Sequence, residues 1–129
     1  MIILLDTSVI IDALNYKRGR REFLELSKQA GDTHAYSAIS VAEVYAGMRP
    51  NEAAATEASI ESLECIEVTQ DIARQAGSLK YAWEGRGVTI NIPDAIIAAT
   101  TLNFNLWLAT DNRRDFPMQD LKLLDLAMN

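Results

Sequence analysis

Close to its start the chain reads Ile2-Ile3-Leu4-Leu5-Asp6-Thr7-Ser8-Val9-Ile10-Ile11. Four apolar residues without a polar break suit a short strand buried on both faces. Asp6, Thr7 and Ser8 carry oxygens that can accept from the free amides of a first helical turn, so a short helix is expected to run to Leu14. Asp6 then stands where a central parallel strand hands over to a helix, the edge at which open α/β sheets bind ligands. Capping that helix is the plainer use of the same side chain.

Outward from this stretch, strands and helices alternate. Asn15 to Gly19 is a basic break, Arg20 to Ala30 a helix with Gly31 as its C-cap, and His34-Ala35-Tyr36 a weak strand. Ser40 with Glu43 three residues on predicts a capping box opening a helix to Met48, stopped by Arg49-Pro50. Asn51 to Leu63 reads as a helix with a wet face, Ile66-Glu67-Val68 as a short strand, and Thr69 to Trp83 as a helix ended by Gly85-Arg86-Gly87. Pro93 to Phe104 is the most apolar helix. Leu106 to Ala109 is a second buried strand, ended by Thr110-Asp111-Asn112, and Leu121 to Leu126 an edge strand. The expected fold is α/β: a mostly parallel sheet of about four to five strands covered by helices on both faces.

The 129 residues are enough for one domain, taken here as 1–129, with a sizeable core. The formal net charge of -6 argues against a passive nucleic-acid coat, though not against an enzyme holding cations in an acidic pocket. The single cysteine, Cys65, excludes an internal disulfide and a thiolate cage, and fits a reducing, cytoplasmic compartment. No apolar run reaches membrane-spanning length, and no signal peptide is read in the N-terminus.

Four places put an acid at a helix start or a buried-strand end: Asp6, Glu43, Asp94, and the pair Asp111 and Asp115. Parallel strands would bring these ends to one edge of the sheet. Packed carboxylates repel one another, and a divalent cation relieves that repulsion. Oxygen ligands alone favour a hard ion, Mg2+ or Mn2+, suited to phosphate chemistry. A GxGxxG or GxxxxGK[ST] loop is absent, which argues against nucleoside triphosphates. The residues themselves therefore point to a metal-dependent phosphodiesterase or phosphatase. Each acid also has a structural use, as cap, dipole partner or turn residue; it is the set that carries the functional reading.

Four segments, in order, resemble the motifs of PIN-domain ribonucleases: Leu4 to Ile10, Ser40 to Gly47, Pro93 to Thr100, and Leu108 to Phe116. Their order and the chain length are similar to VapC-like toxins of bacterial type II toxin–antitoxin pairs. The resemblance implies Asp6 and Asp94 as principal metal ligands. Glu43 and Asp115 would complete the acidic pocket, with Thr7, Ser8 and Thr110 beside it. Either Asp111 or Asp115 would face the metal; Asp115 matches the motif's final acid better. The resemblance further implies endonucleolytic RNA cleavage by a metal-activated water, a homodimer, and a small antitoxin in a toxin–antitoxin hetero-oligomer, with no membrane.

Lys17, Arg18, Arg20 and Arg21, together with Arg113 and Arg114 beside the acids and Arg86 in a loop, are expected to form a basic rim for RNA phosphates. Three other classes compete. A receiver-type signalling domain needs acids paired before the central strand and a Lys late in the fold, for which Lys122 is poorly placed. A haloacid-dehalogenase-type phosphatase wants an acid two positions after Asp6, where Ser8 stands. A catalytically silent PIN-like interaction module would use the acidic cleft to hold a basic peptide.

Overall fold

The computed structural model describes residues 1–126 of the chain. Among them, five strands form one sheet: β1 (Ile2–Leu5), β2 (Thr33–Ser37), β3 (Glu64–Ile66), β4 (Trp107–Ala109) and β5 (Lys122–Leu124). The order is β3-β2-β1-β4-β5, with every neighbouring pair parallel. The first strand is thus the central one, and Ile3, Leu4 and Leu5 are almost wholly buried. The expected single α/β sheet is present, parallel throughout; residues 127–129 of the expected domain lie outside the described residues.

The helices are α1 (Thr7–Leu14), α2 (Arg20–Gln29), α3 (Ala38–Ala46), α4 (Ala53–Glu61), α5 (Gln70–Glu84) and α6 (Ile92–Asn103). Alternate side chains of β1 feed two cores, as the two-residue period of a strand requires. Leu4 packs with Ile72 and Ala76 of α5 and with Ile96 and Ile97 of α6. Ile3 and Leu5 pack with Val9 and Ile10 of α1, Val44 of α3 and Ile60 of α4. Helix α6 is apolar nearly all round, and Thr100 and Thr101 donate their hydroxyls to the carbonyls of Ile96 and Ile97, four residues back, both at 2.8 Å.

Several boundaries differ from the sequence expectation, among them β5, which spans Lys122–Leu124 rather than Leu121 to Leu126. The Ser40–Glu43 capping box does not form: α3 starts at Ala38, and Ser37 is its N-cap, accepting from the Ile39 amide at 3.2 Å. Ser40 and Glu43 lie inside the helix, and both side chains turn toward Thr7. Strand β3 is Glu64–Ile66 rather than Ile66–Val68, because its register is set by pairing with Ala35, Tyr36 and Ser37. The helix expected over Asn51 to Leu63 is split into a 3-10 turn (Pro50–Glu52) and α4. Gly31, at φ +100°, follows the last residues of α2 as the glycine of a Schellman turn; the Asp32 amide donates to Ser27 O at 3.1 Å.

Sheet order places the topological switch between β1 and β4. Strand β2 leaves β1 on one side, and β4 returns on the other after α5 and α6. Crevices outside the carboxyl ends of strands at such a point are where open α/β sheets hold ligands.

Candidate active site

Asp6 directly follows β1 and caps α1, its Oδ1 accepting from the Thr7 amide at 2.8 Å. Its own amide donates to the carbonyl of Ala109 at 2.9 Å, tying the end of β1 to the end of β4. Its Oδ2 accepts from the Thr110 hydroxyl at 2.6 Å and from the Ser8 hydroxyl at 3.2 Å. Asp6 is 4% exposed. Burial pushes its carboxyl above the usual carboxylate range, and the nearby charge of Glu43 adds to the rise; Thr110, Ser8 and the Thr7 amide work against it by stabilising the charged form.

Glu43 arrives from the second turn of α3. The Thr7 hydroxyl donates to its Oε1 at 2.7 Å and lies 2.8 Å from the Ser40 hydroxyl. With Thr7 donating to Glu43, Ser40 is the donor to Thr7, so the buried Ser40 hydroxyl is satisfied. Thr7 therefore links α1 to α3 and holds Glu43 on the Asp6 side of the sheet.

Asp94 lies in the first turn of α6. The N-cap of that helix is Asn91, whose Oδ1 accepts from the Asp94 amide at 2.8 Å. The Asp94 carboxyl is pushed up to about 6. Burial is the main cause, followed by the charges of Asp6, Asp115 and Glu43, while Asn91 works in the opposite direction. Acids from β1–α1, α3, α6 and the turn after β4 thus share one electrostatic neighbourhood.

Asp115 ends a 3-10 turn (Arg113–Asp115) and is exposed. Asp111 does not join this group. It accepts two hydrogen bonds from Arg20 of α2, from Nε at 3.0 Å and from Nη2 at 2.5 Å. Arg20 is itself 4% exposed, so it cannot serve the phosphate rim expected from the sequence. Two more of that cluster have intramolecular roles: Arg21 stacks over Tyr16 at 4.1 Å, and Arg18 stands 3.6 Å from Asp12. Arg113 and Arg114 are exposed beside Asp115, with Arg113 reaching Leu124 O at 3.4 Å.

The sequence pattern alone does not single out Asn91 or the real role of Ser40. Asn91 two residues before Pro93 is nonetheless a legible signal, since Asn is a preferred N-cap and Pro favours the first turn. A cavity of about 360 Å3 between α2 and α4, lined by Leu14, Leu24, Lys28, His34 and Leu63 among others, touches none of these acids.

Among the described residues, no group of three or more His, Cys, Asp or Glu side chains is closed around a point that could hold an ion. The donor chemistry nevertheless fits Mg2+ or Mn2+. Mg2+ keeps several waters and needs only one or two protein carboxylates, and the acids gathered at this edge offer oxygen. A carboxyl raised by burial, and further by the charges of its acidic neighbours, is also one that a cation would return to its charged form.

Thr110 is 2% exposed, and its hydroxyl also accepts from the Asn112 amide at 2.9 Å. Thr110→Val keeps the shape and removes both bonds. Urea denaturation is expected to show a loss of about 1–3 kcal/mol, because a buried carboxylate and an amide both lose a partner.

The PIN domain family model matches residues 3–120. The chain is 34% identical over 115 residues to Ribonuclease VapC19 of Mycobacterium tuberculosis, covering 89% of this chain and 92% of that one. It is 33% identical over 117 residues to Ribonuclease VapC10 of the same species, covering 91% and 87%. Among solved structures, VapBC2 from Rickettsia felis bound to a promoter DNA fragment superposes with a TM-score of 0.80 at 26% identity, over 96% of this chain and 98% of that one. Sheet order, the acids at the switch point and these likenesses agree: the chain belongs to the PIN domain family.

Proposed function

We propose that this protein is a metal-dependent endoribonuclease acting as the toxin of a toxin–antitoxin pair. One observation carries the assignment: the Asp94 carboxyl feels Asp6, Asp115 and Glu43 together, although the four come from separate elements. Relatives named ribonucleases, and a structural neighbour that is a VapBC complex, support RNA as substrate and a small antitoxin as partner. A homodimer and a cytoplasmic location belong to the same proposal. Among the described residues no helix is long and apolar enough to cross a membrane.

In this reading Asp6 and Asp94 hold Mg2+ or Mn2+, with Glu43 and Asp115 completing the acidic surround. When bound, the ion lowers the pKa of a coordinated water and offsets charge on the phosphoryl oxygens of the scissile diester. The chain's own residues orient and charge the site. Three donors fix Asp6 in one orientation before any ligand arrives. Thr7 fixes Glu43. Asp94 keeps a proton on its carboxyl in part of the molecules near pH 6 until a cation displaces it. Arg113 and Arg114 face solvent and offer guanidinium forks to the RNA backbone.

Single-stranded RNA incubated with Mg2+ should be cut internally, and excess EDTA should stop the cutting. Cutting that persists after complete metal removal would refute the proposal, and intact RNA under all metal conditions would favour a silent binding module. Reversing Arg113 and Arg114 to Glu should weaken RNA binding. It should also flatten the dependence of log K on log salt by about 1.4 or more, the share of two phosphate contacts to a single strand. An unchanged slope would place the phosphates elsewhere.

A further inference from the structure

Arg20 is the first residue of α2, yet it is buried rather than solvated. The loop before it makes this possible. Tyr16 and Arg18 sit at φ 56° and Gly19 at φ 66°, all in the left-handed region. That conformation is costly for a non-glycine residue, and it persists where surrounding contacts over-determine it. Here the Lys17 amide donates to Asp12 O at 2.8 Å, Arg21 covers Tyr16, and the turn delivers Arg20 across the sheet end to Asp111, 91 residues away.

The Arg20 fork takes both oxygens of Asp111, and Nη2 also reaches Leu126 O at 3.4 Å. Asp111 is flanked by the residues that build the site. Thr110 before it donates to Asp6 and accepts from the amide of Asn112 after it, and the turn then leads to Asp115. A buried ion pair is a weak source of net stability, since well-packed apolar side chains often do as well. What a two-pronged guanidinium supplies is orientation of its carboxylate.

We propose that Arg20 is a positioning residue of the acidic site. By fixing Asp111 it sets the turn after β4, and with it the Thr110 hydroxyl on Asp6 and the approach of Asp115. This rests on the ribonuclease reading above for its catalytic consequence, but not for its structural one.

The test compares wild type with Arg20→Lys, Arg20→Met and Asp111→Asn. RNA cleavage is measured with Mg2+, normalised to folded protein, and amide hydrogen exchange is measured on the metal-free proteins. Arg20→Met and Asp111→Asn are expected to lower kcat by about 10- to 100-fold, with KM within about two-fold, as misplacement of a supporting group does. Arg20→Lys restores the charge but not the fork and should recover part of the loss. Exchange at Asn112 should rise about ten-fold more than at Ala35 in β2, the sign of local loosening. Equal acceleration at both amides, or an unchanged kcat in the folded variants, would overturn the proposal. If Arg20→Met does not fold, Arg20→Lys and Asp111→Asn decide. If wild type does not cleave RNA, the ribonuclease reading fails, and the exchange comparison still decides whether Arg20 holds the turn.

Discussion

Asp94→Asn is expected to make the metal-free protein melt at a higher temperature while removing the proposed ribonuclease activity. The Asp94 carboxyl sits at about 6 in the folded protein, against an ordinary value of 3.8. The folded state therefore binds this proton more tightly than the unfolded chain does. Stability then falls as pH rises between those two values, and the penalty is complete above about pH 7. The side chain is partly open to solvent, so the full linkage figure is reduced by screening to about 1 kcal/mol. That corresponds to about 3–5 °C in melting temperature. The difference between variant and wild type should shrink toward zero as pH is lowered to about 3. Added Mg2+ should raise the wild-type melting temperature more than that of the variant, because a ligand bound only by the folded state stabilises it. A variant no more stable than wild type at pH 7 would mean that burial and the neighbouring acids together do not raise the Asp94 carboxyl in the folded protein.

Asp6→Asn is expected to lower cleavage by on the order of a thousand-fold or more, the rate equivalent of several kcal/mol of lost charge stabilisation. Its stability signature should differ from that of Asp94→Asn. Asp6 is more deeply buried, but Thr7, Ser8 and Thr110 all donate to its two oxygens. The amide has one acceptor oxygen where the carboxylate has two, so relief of charge burial is offset by lost charge-assisted bonds. The melting temperature should move little in either direction, whereas Mg2+ should no longer raise it. Full cleavage by a folded Asp6→Asn protein would remove Asp6 from the proposed metal site.

These two acids also mark how far the sequence alone reaches. Asp6 is legible because an uninterrupted apolar run suits a buried strand, and the sheet itself positions the residue at the end of such a strand. Asp94 is legible because Pro93 and the apolar run beyond it mark a first helical turn. Strand β3 lies two residues earlier than its sequence pattern predicts because it is at the sheet edge, where Glu64 and Cys65 are exposed and carry no hydrophobic signature. Ser40 misleads because a Ser three residues before a Glu is the pattern of a capping box, and nothing local reveals that Ser37 already caps α3. The separate fates of Asp111 and Asp115 depend on Arg20, 91 residues from Asp111 in the chain. No spacing rule reports that a cation in a basic cluster is turned inward by three left-handed residues in one short loop.

The central place of β1 has a consequence for how the protein is made. The Thr110 hydroxyl that holds Asp6 comes 104 positions later, just after the neighbouring strand β4. At ribosomal speeds the interval between their syntheses is about 5–20 s. Throughout that time one flank of the nascent innermost strand has no mate, and the acids stand in separate pieces of chain. A half-made polypeptide would thus be sticky but lack the assembled acidic edge, and the centre proposed to cut RNA would come into being only when the final strands emerge.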